Sequence, residues 1–209
     1  MKRSLIAAAL AAFLFTSCSD GKQETSANET ENHGHHEGMA HGNTLPVEGT
    51  VVVEAPDYAA AAGPVKEQIA AVVGSYLKLK DNLVASDAQK AQAEAKAVVA
   101  AAEKVDVAGL ESEQKSFAEE KLSEVKQAAS TMAASTDLAA QRAELELLSE
   151  ASFALAKAFG ASSQELYYQH CPMANNNQGA YWLSSDKEIR NPYFGEQMLA
   201  CGSIEEVHN

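Results

Sequence analysis

Hydrophobic residues recur every three or four positions through the central part of the chain. This spacing places them on one face of a helix, and the positions between them are mostly charged, polar or alanine. Interruptions near residues 86, 109 and 135 divide the pattern into four segments. The four predicted inward stripes are Val65, Ile69, Val72, Tyr76, Leu79 and Leu83; Ala91, Ala95, Val98, Ala102 and Val105; Ala118, Leu122, Val125, Ala129 and Met132; and Leu138, Leu145, Leu148, Ser152, Leu155 and Phe159.

Residues typical of helix ends flank these segments. Ser86 followed by Gln89 has the form of a capping box before the second helix, and residues 135–137 supply N-cap candidates for the fourth. Gly160 suits the C-terminal end of the fourth helix. Four helices joined by short connections predict an all-α fold, an antiparallel four-helix bundle.

The chain after Gly160 loses the helical period and becomes rich in aromatic residues. We expect an irregular segment that folds back onto the bundle, because exposed rings would leave much apolar surface in water. The aromatic residues concerned are Tyr167, Tyr168, Tyr181, Trp182, Tyr193 and Phe194.

Two pairs of sulfur side chains lie in this segment, Cys171 with Met173 and Met198 with Cys201. Pro172 favours an extended backbone before it, and alternate residues of an extended chain point to the same side. The segment before Cys201 is predicted to form a helical turn, in which residues three apart share a face. Each pair is therefore expected to aim both of its sulfurs at one point.

A site built from both pairs would be a soft one. Thiolates and thioethers favour Cu(I), and by the same chemistry Ag(I), over zinc, which prefers imidazole beside thiolate, and over calcium or magnesium, which prefer oxygen. His170 is a weaker candidate ligand. A disulfide between Cys171 and Cys201 is the alternative, although it would leave the two methionines without a role.

The N-terminus predicts a lipoprotein signal peptide over residues 1–17. Lys2 and Arg3 precede a short apolar run, and Phe15-Thr16-Ser17-Cys18 resembles the bacterial lipobox, in which the cysteine becomes the lipidated first residue. An ordinary secretory signal is the alternative. Lipidation of Cys18 would anchor the protein in the bacterial cell envelope, with the outer membrane as the expected location.

Residues 18–55 are polar and predict a flexible tether, and residues 56–209 form the predicted bundle domain. The tether contains the stretch HGHHEGMAHG, whose imidazole and thioether groups could collect metal weakly without a fixed geometry. A solvated spacer is the alternative interpretation. The candidate tether ligands are His33, His35, His36, Met39 and His41.

Charge and motif content narrow the class of function. The 16 basic and 29 acidic residues give a net charge of −13, which excludes nucleic acid as a natural partner. The sequence contains no Cys-x-x-Cys motif, no glycine-rich phosphate loop, and no Ser, His and Asp set that can be placed together. We therefore expect a protein that is not an enzyme.

The motif CPMANNNQGAYWLSSDKEIRNPYFGEQMLACG, with the earlier stretches ASDAQKAQAEAK and LSEASFALAKAFG, resembles a bacterial envelope domain family of unknown function. The likeness covers about residues 56–205. That family is often encoded with, or fused to, adaptor subunits of copper and silver efflux systems, which implies a helical bundle with a copper-linked role. The Cys-Pro-Met core is also similar to an element of small heavy-metal-binding domains, with Ala174 and Asn175 in place of His-Pro.

These observations together predict an envelope lipoprotein that binds Cu(I) through Cys171, Met173, Met198 and Cys201. Its expected role is to sequester copper or to pass it to an efflux adaptor. The alternative is a structural or interaction module, braced by a disulfide, that docks on such an adaptor without metal.

Overall fold

The structure, a computed structural model, describes residues 50–61 and 63–209. Within these residues, helical and extended elements alternate only near the C-terminus. The elements are α1 (Gly63–Val84), α2 (Ala88–Ala102), α3 (Ser112–Ala133), α4 (Leu138–Ala143), α5 (Leu145–Phe159), β1 (Leu166–Cys171), α6 (Ala174–Asn177), β2 (Ala180–Ser184), a 3-10 turn (Gly195–Met198) and β3 (Ser203–His208).

The predicted helical stripes form the core. Every residue of the four stripes is buried except Val105 and Leu138, which are half-buried. Helices α1, α2, α3 and α5 pack as a closed ring of neighbours, with α5 returning to α1. Each fully buried Leu, Val or Phe side chain contributes about 1.5–3 kcal/mol to folding, so these stripes supply a large share of the driving force. None of the described helices combines the length and apolar character needed to cross a bilayer.

The helix ends agree with the sequence prediction only in part. Ser86 does not cap α2; its φ is +54°, and the neighbouring Asp87 accepts a hydrogen bond from the backbone N–H three residues on. Asp137 caps α4 in the predicted way, and Gly160 ends α5 with a φ of +56°. The fourth segment is two helices rather than one, because Glu144 stands between α4 and α5.

The prediction of an all-α fold is wrong, because the chain after Gly160 forms a three-stranded antiparallel sheet. β1 lies at its centre, between β2 and β3, and the pairing of β1 with β3 is interrupted between Tyr168 and Gln169. The fold is therefore mixed α and β. Short strands whose partners lie far along the chain leave a weaker pattern in the sequence than helices do.

The connection between β1 and β2 depends on residues that tolerate a left-handed backbone. Three consecutive asparagines, Asn175 to Asn177, have φ between +49° and +65°, and Gly179 has φ +86°. Asparagine is several-fold enriched in this region among residues that carry a side chain, and glycine adopts it freely. This turn reverses the chain directly after the Cys-Pro-Met motif.

The sheet has two differently covered faces. On one face, Tyr168 stacks against Phe153 of α5 with ring centroids 4.9 Å apart. On the other, Trp182 meets Tyr193 edge to face at 6.1 Å. Tyr193 belongs to residues 185–202, which we call the covering loop. Because side chains alternate along a strand, Cys171 and Trp182 point toward the covering loop.

Two tyrosine hydroxyls form hydrogen bonds with backbone groups of the edge strand β2. The backbone N–H of Leu183 donates to the hydroxyl of Tyr76 at 3.0 Å, and the hydroxyl of Tyr193 donates to the carbonyl of Tyr181 at 2.6 Å. The Tyr76 hydroxyl also bonds Ser149 of α5 at 2.7 Å. These contacts connect sheet and bundle, and they reduce the opportunity for another chain to pair with this edge.

The segment before α1 is fastened to β3. Backbone N–H groups of Val52 and Val53 donate to one carboxylate oxygen of Glu206, at 2.7 and 2.9 Å. Lys157 of α5 forms an ion pair with the other oxygen of Glu206 and donates to the Val53 carbonyl at 2.6 Å. Val53 is itself buried. The packed domain therefore begins earlier than residue 56.

Candidate metal centre

Cys171 is the last residue of β1 and is completely buried. Its position on the strand is fixed by pairing with Ala180 of β2. Its side chain points away from α5 and toward the covering loop. The strand thus presents a thiol on the face that Trp182 and Tyr193 line.

Cys201 lies at the end of the covering loop and is half-buried. Its Sγ is 2.9 Å from Sγ of Cys171, and both cysteines are free thiols. A disulfide bond measures about 2.05 Å, so this separation places the two sulfurs for either a disulfide or a shared metal ion. Two residues 30 positions apart therefore meet at one point.

Asn191 organises the covering loop. It is fully buried. Its side-chain amide donates to the Cys201 carbonyl at 2.8 Å, and its side-chain oxygen accepts from the backbone of Tyr193 at 2.8 Å. Its own backbone N–H donates to the Leu199 carbonyl, and its carbonyl accepts from Gly195. We call this set of bonds the Asn191 clasp; it determines where Cys201 lies.

Gly202 allows the loop to return to the sheet beside Cys201. Its φ is +148°, and a Cβ at this position would lie 2.7 Å from the His170 carbonyl and 2.8 Å from the Trp182 ring. We expect Gly202→Ala to lower the free energy of unfolding by about 1–3 kcal/mol, because neither neighbour can move easily. Urea denaturation measures this. Gly109→Ala is the control, since a Cβ there meets nothing within 4 Å; equal losses in both variants would contradict the expectation.

Burial raises the pKa of the Cys201 thiol to about 11, with further contributions from its hydrogen bond to Cys171 and from the closeness of that sulfur. At neutral pH Cys201 therefore carries its proton. A metal ion that binds both sulfurs as thiolates must displace that proton.

Met173 does not continue the strand. Its backbone has φ −91° and ψ −12°, and Pro172 and Met173 form a turn, so the expectation that an extended chain aims Cys171 and Met173 the same way is wrong. Its side chain is 45% exposed, which leaves it at the surface. It lines an open cleft of about 670 Å³ together with Arg142 of α4 and Phe194.

Met198 ends the 3-10 turn of the covering loop, and the backbone N–H of Cys201 donates to its carbonyl at 3.0 Å. The predicted helical turn is thus present before Cys201. In such a turn, residues three apart lie nearly above one another. Met198 is half-buried.

His170 faces the opposite side of the sheet from Cys171. Its ring lies 4.4 Å from that of Tyr181, and its Nε2 is 2.4 Å from where a Cβ of Gly179 would be. Glu146 of α5 interacts electrostatically with it. The structure therefore does not bring His170 to the thiol pair.

The predicted lipidation site and tether ligands lie outside the described residues. In residues 50–61 and 63–209, no three His, Cys, Asp or Glu side chains converge in a way that could hold a metal ion. The thiol pair thus stands without a third ligand of these types. The positions outside the description are Cys18, His33, His35, His36, Met39 and His41.

Comparison with known families gives one match. Residues 72–164 match the family described as "Protein of unknown function (DUF3347)". The match extends from within α1 to just before β1, so it covers most of the helical part and includes neither Cys171 nor Cys201. The description names no activity, ligand or partner. Neither the curated proteins nor the solved structures contain a significant match to the chain.

Proposed function

We propose that the protein binds Cu(I) through the thiols of Cys171 and Cys201. The proposal rests on one observation, that two free thiols from distant segments lie with their sulfurs 2.9 Å apart. Two sulfurs on opposite sides of one ion are separated by at most about 4.6 Å, twice a metal–sulfur bond of about 2.3 Å. An opening of less than about 2 Å would therefore admit the ion.

The ligand types favour a soft ion of low coordination number. Structural zinc sites take four protein ligands, and calcium and magnesium take oxygen ligands. Thiolate and thioether sulfur are the ligands that select Cu(I). Ag(I) has the same charge and similar softness, and we expect it to compete for the same pair.

The two methionines have different roles in the proposed site. Met198 is the proposed third ligand, because its turn ends at Cys201. Met173 is exposed at the cleft, and we assign it a role in the approach of the ion rather than in its final coordination. His170 leaves the proposed ligand set because its ring lies on the other face of the sheet.

The proposed biological role is copper sequestration, or transfer of copper to an efflux adaptor, by a lipid-anchored envelope protein. The lipobox-like residues ending at Cys18 support the anchor and the outer-membrane location. The histidines of the tether support a loose first capture of metal. The resemblance of residues 171–202 to an efflux-associated domain supports the adaptor as partner.

A second candidate function is favoured by the same short distance. The thiols are close enough to form a disulfide, which would brace the domain as an interaction module that docks on an efflux adaptor without metal. Intact mass after thiol alkylation of freshly isolated protein in denaturant, which exposes the buried Cys171, separates the candidates. A braced protein takes up no label at Cys171 and Cys201, and a metal-binding dithiol takes up two once the metal is removed.

The decisive experiment is a Cu(I) titration of the full chain carrying Cys18→Ala, so that Cys171 and Cys201 are its two remaining thiols. A coloured Cu(I) chelator competes for the ion under reducing, oxygen-free conditions. We expect one tightly bound ion per chain. Cys171→Ser combined with Cys201→Ser should weaken binding at least about a thousandfold, or about 4 kcal/mol.

The matched control replaces the four tether histidines, His33, His35, His36 and His41, with alanine. It should change the affinity of the tight site by less than about threefold, because those residues are not its ligands. Loss of tight binding in this control, with retention in the double cysteine variant, would refute the proposed function.

A further inference from the structure

The two thiols differ in their access to solvent. Cys171 is completely buried, whereas Cys201 is half-buried at the end of the covering loop. A small reagent can therefore reach the sulfur of Cys201 first. The sulfur of Cys171 then lies 2.9 Å behind it, already in contact.

We propose that Cys171 and Cys201 form a reversible redox switch that is aligned by the Asn191 clasp and that controls the metal site. In the reduced state both sulfurs are available as ligands. In the oxidised state a disulfide consumes both. The control of metal binding rests on the proposed function; the reversible disulfide and its alignment do not.

The reaction requires a small-molecule disulfide as oxidant. After Cys201 loses its proton, its thiolate attacks one sulfur of that disulfide, forms a mixed disulfide and releases one thiolate. The Cys171 thiolate then attacks the Cys201 sulfur, closes the intramolecular disulfide and releases the second thiolate. Two electrons pass from the protein to the oxidant, and the two cysteine protons go to the two released thiolates.

Asn191 acts as the positioning residue of this switch. Its amide holds the Cys201 carbonyl, and its backbone ties the loop at Leu199 and Gly195. A loop that is already ordered in the dithiol state loses little further entropy when the disulfide closes. The clasp therefore favours closure of the disulfide over persistence of the mixed disulfide.

The redox state is tested by equilibrating the full chain carrying Cys18→Ala with mixtures of reduced and oxidised glutathione. Acid quenching, alkylation and intact mass then count free thiols. We expect one transition from two labels to none, with the glutathione adduct a minor species throughout. Two labels at every glutathione ratio, or a dominant adduct at Cys201, would overturn the proposal.

The alignment is tested with Asn191→Asp, which keeps the side-chain shape and replaces the donor to the Cys201 carbonyl with a repelling oxygen. We expect the equilibrium constant for disulfide formation to fall about tenfold, the effect of one lost buried hydrogen bond. Tyr76→Phe is the control, because it removes two buried hydrogen bonds that do not involve the covering loop. An unchanged constant in Asn191→Asp, or an equal fall in Tyr76→Phe, would overturn the positioning role.

The consequence for metal is tested by repeating the Cu(I) titration on the oxidised protein in the absence of reductant. We expect its affinity to match that of the double cysteine variant. Equal affinity of the oxidised and reduced forms, with both tight, would overturn the control of the site. If the reduced form itself fails to bind, the proposed function fails, and the glutathione and Asn191 results decide the redox switch separately.

Discussion

Replacing Lys157 with Met is expected to lower the free energy of unfolding by about 3 kcal/mol, because it leaves the Glu206 carboxylate buried without its cation. Only 4% of the Glu206 side chain and 14% of the Lys157 side chain are exposed. The same lysine also donates to the Val53 carbonyl, so the N-terminal segment should loosen together with β3. Urea denaturation followed by circular dichroism measures the loss.

The control for this prediction is Lys121→Met. Lys121 of α3 pairs with Glu120 and Glu124, whose side chains are 66% and 29% exposed, and an ion pair with solvent-exposed carboxylates contributes at most about 1 kcal/mol. Lys157→Met combined with Glu206→Gln should recover part of the loss, because no unpaired charge then remains buried. A loss in Lys157→Met no greater than that in Lys121→Met would contradict the role assigned to the buried pair.

The affinity for Cu(I) is expected to rise at least about tenfold for each pH unit between about pH 7 and pH 9. The pKa of Cys201 is raised to about 11, so each pH unit below that value increases its thiolate fraction tenfold. Because binding displaces this proton, the affinity for Cu(I) increases as the pH rises. Competition titrations in buffers of graded pH, corrected for the protonation of the chelator, measure the slope.

Imidazole ligands would give a different profile. A histidine site with ordinary pKa values is fully deprotonated a little above pH 7, so its affinity levels off there. The double variant Cys171→Ser with Cys201→Ser should show only this plateau. A plateau above pH 7 in the protein with both thiols would contradict binding through Cys201.

The helical part of the fold was predictable because its stripes are local. Tyr76, Leu122 and Leu148 repeat with neighbours three or four positions away, and that period survives whatever the helices pack against. The break at Glu144 was not predicted, since the apolar period continues across it. The N-cap of α2 is Asp87 and not the predicted Ser86. Aspartate and serine are about equally good N-caps, so the sequence does not distinguish two such neighbours.

The sheet was missed because its signals are short and depend on residues far apart. β1 and β2 carry the aromatic residues favoured in strands, and the asparagine run before Gly179 marks the turn between them. β3 looked too polar for a strand, because Glu206 points inward to a lysine that is 49 residues away. Only the fold reveals that pairing.

The two cysteines of the candidate site could be predicted from the sequence, but the residues that position them could not. Rare cysteines in an aromatic segment drew attention to Cys171 and Cys201, which the fold brings together. The predicted orientation of Met173 was wrong because the turn begins at Pro172. Asn191 was overlooked because its sequence context is that of a turn, whereas its importance lies in contacts with the Cys201 backbone.

X-ray absorption at the copper edge of the Cu(I)-loaded full chain carrying Cys18→Ala tests the metal site most directly. Binding by Cys171 and Cys201 predicts a first shell of two or three sulfur atoms at about 2.3 Å. This shell should disappear in the double cysteine variant and persist when the tether histidines are replaced. A first shell of nitrogen or oxygen without sulfur would contradict the assignment of the thiol pair as the copper ligands.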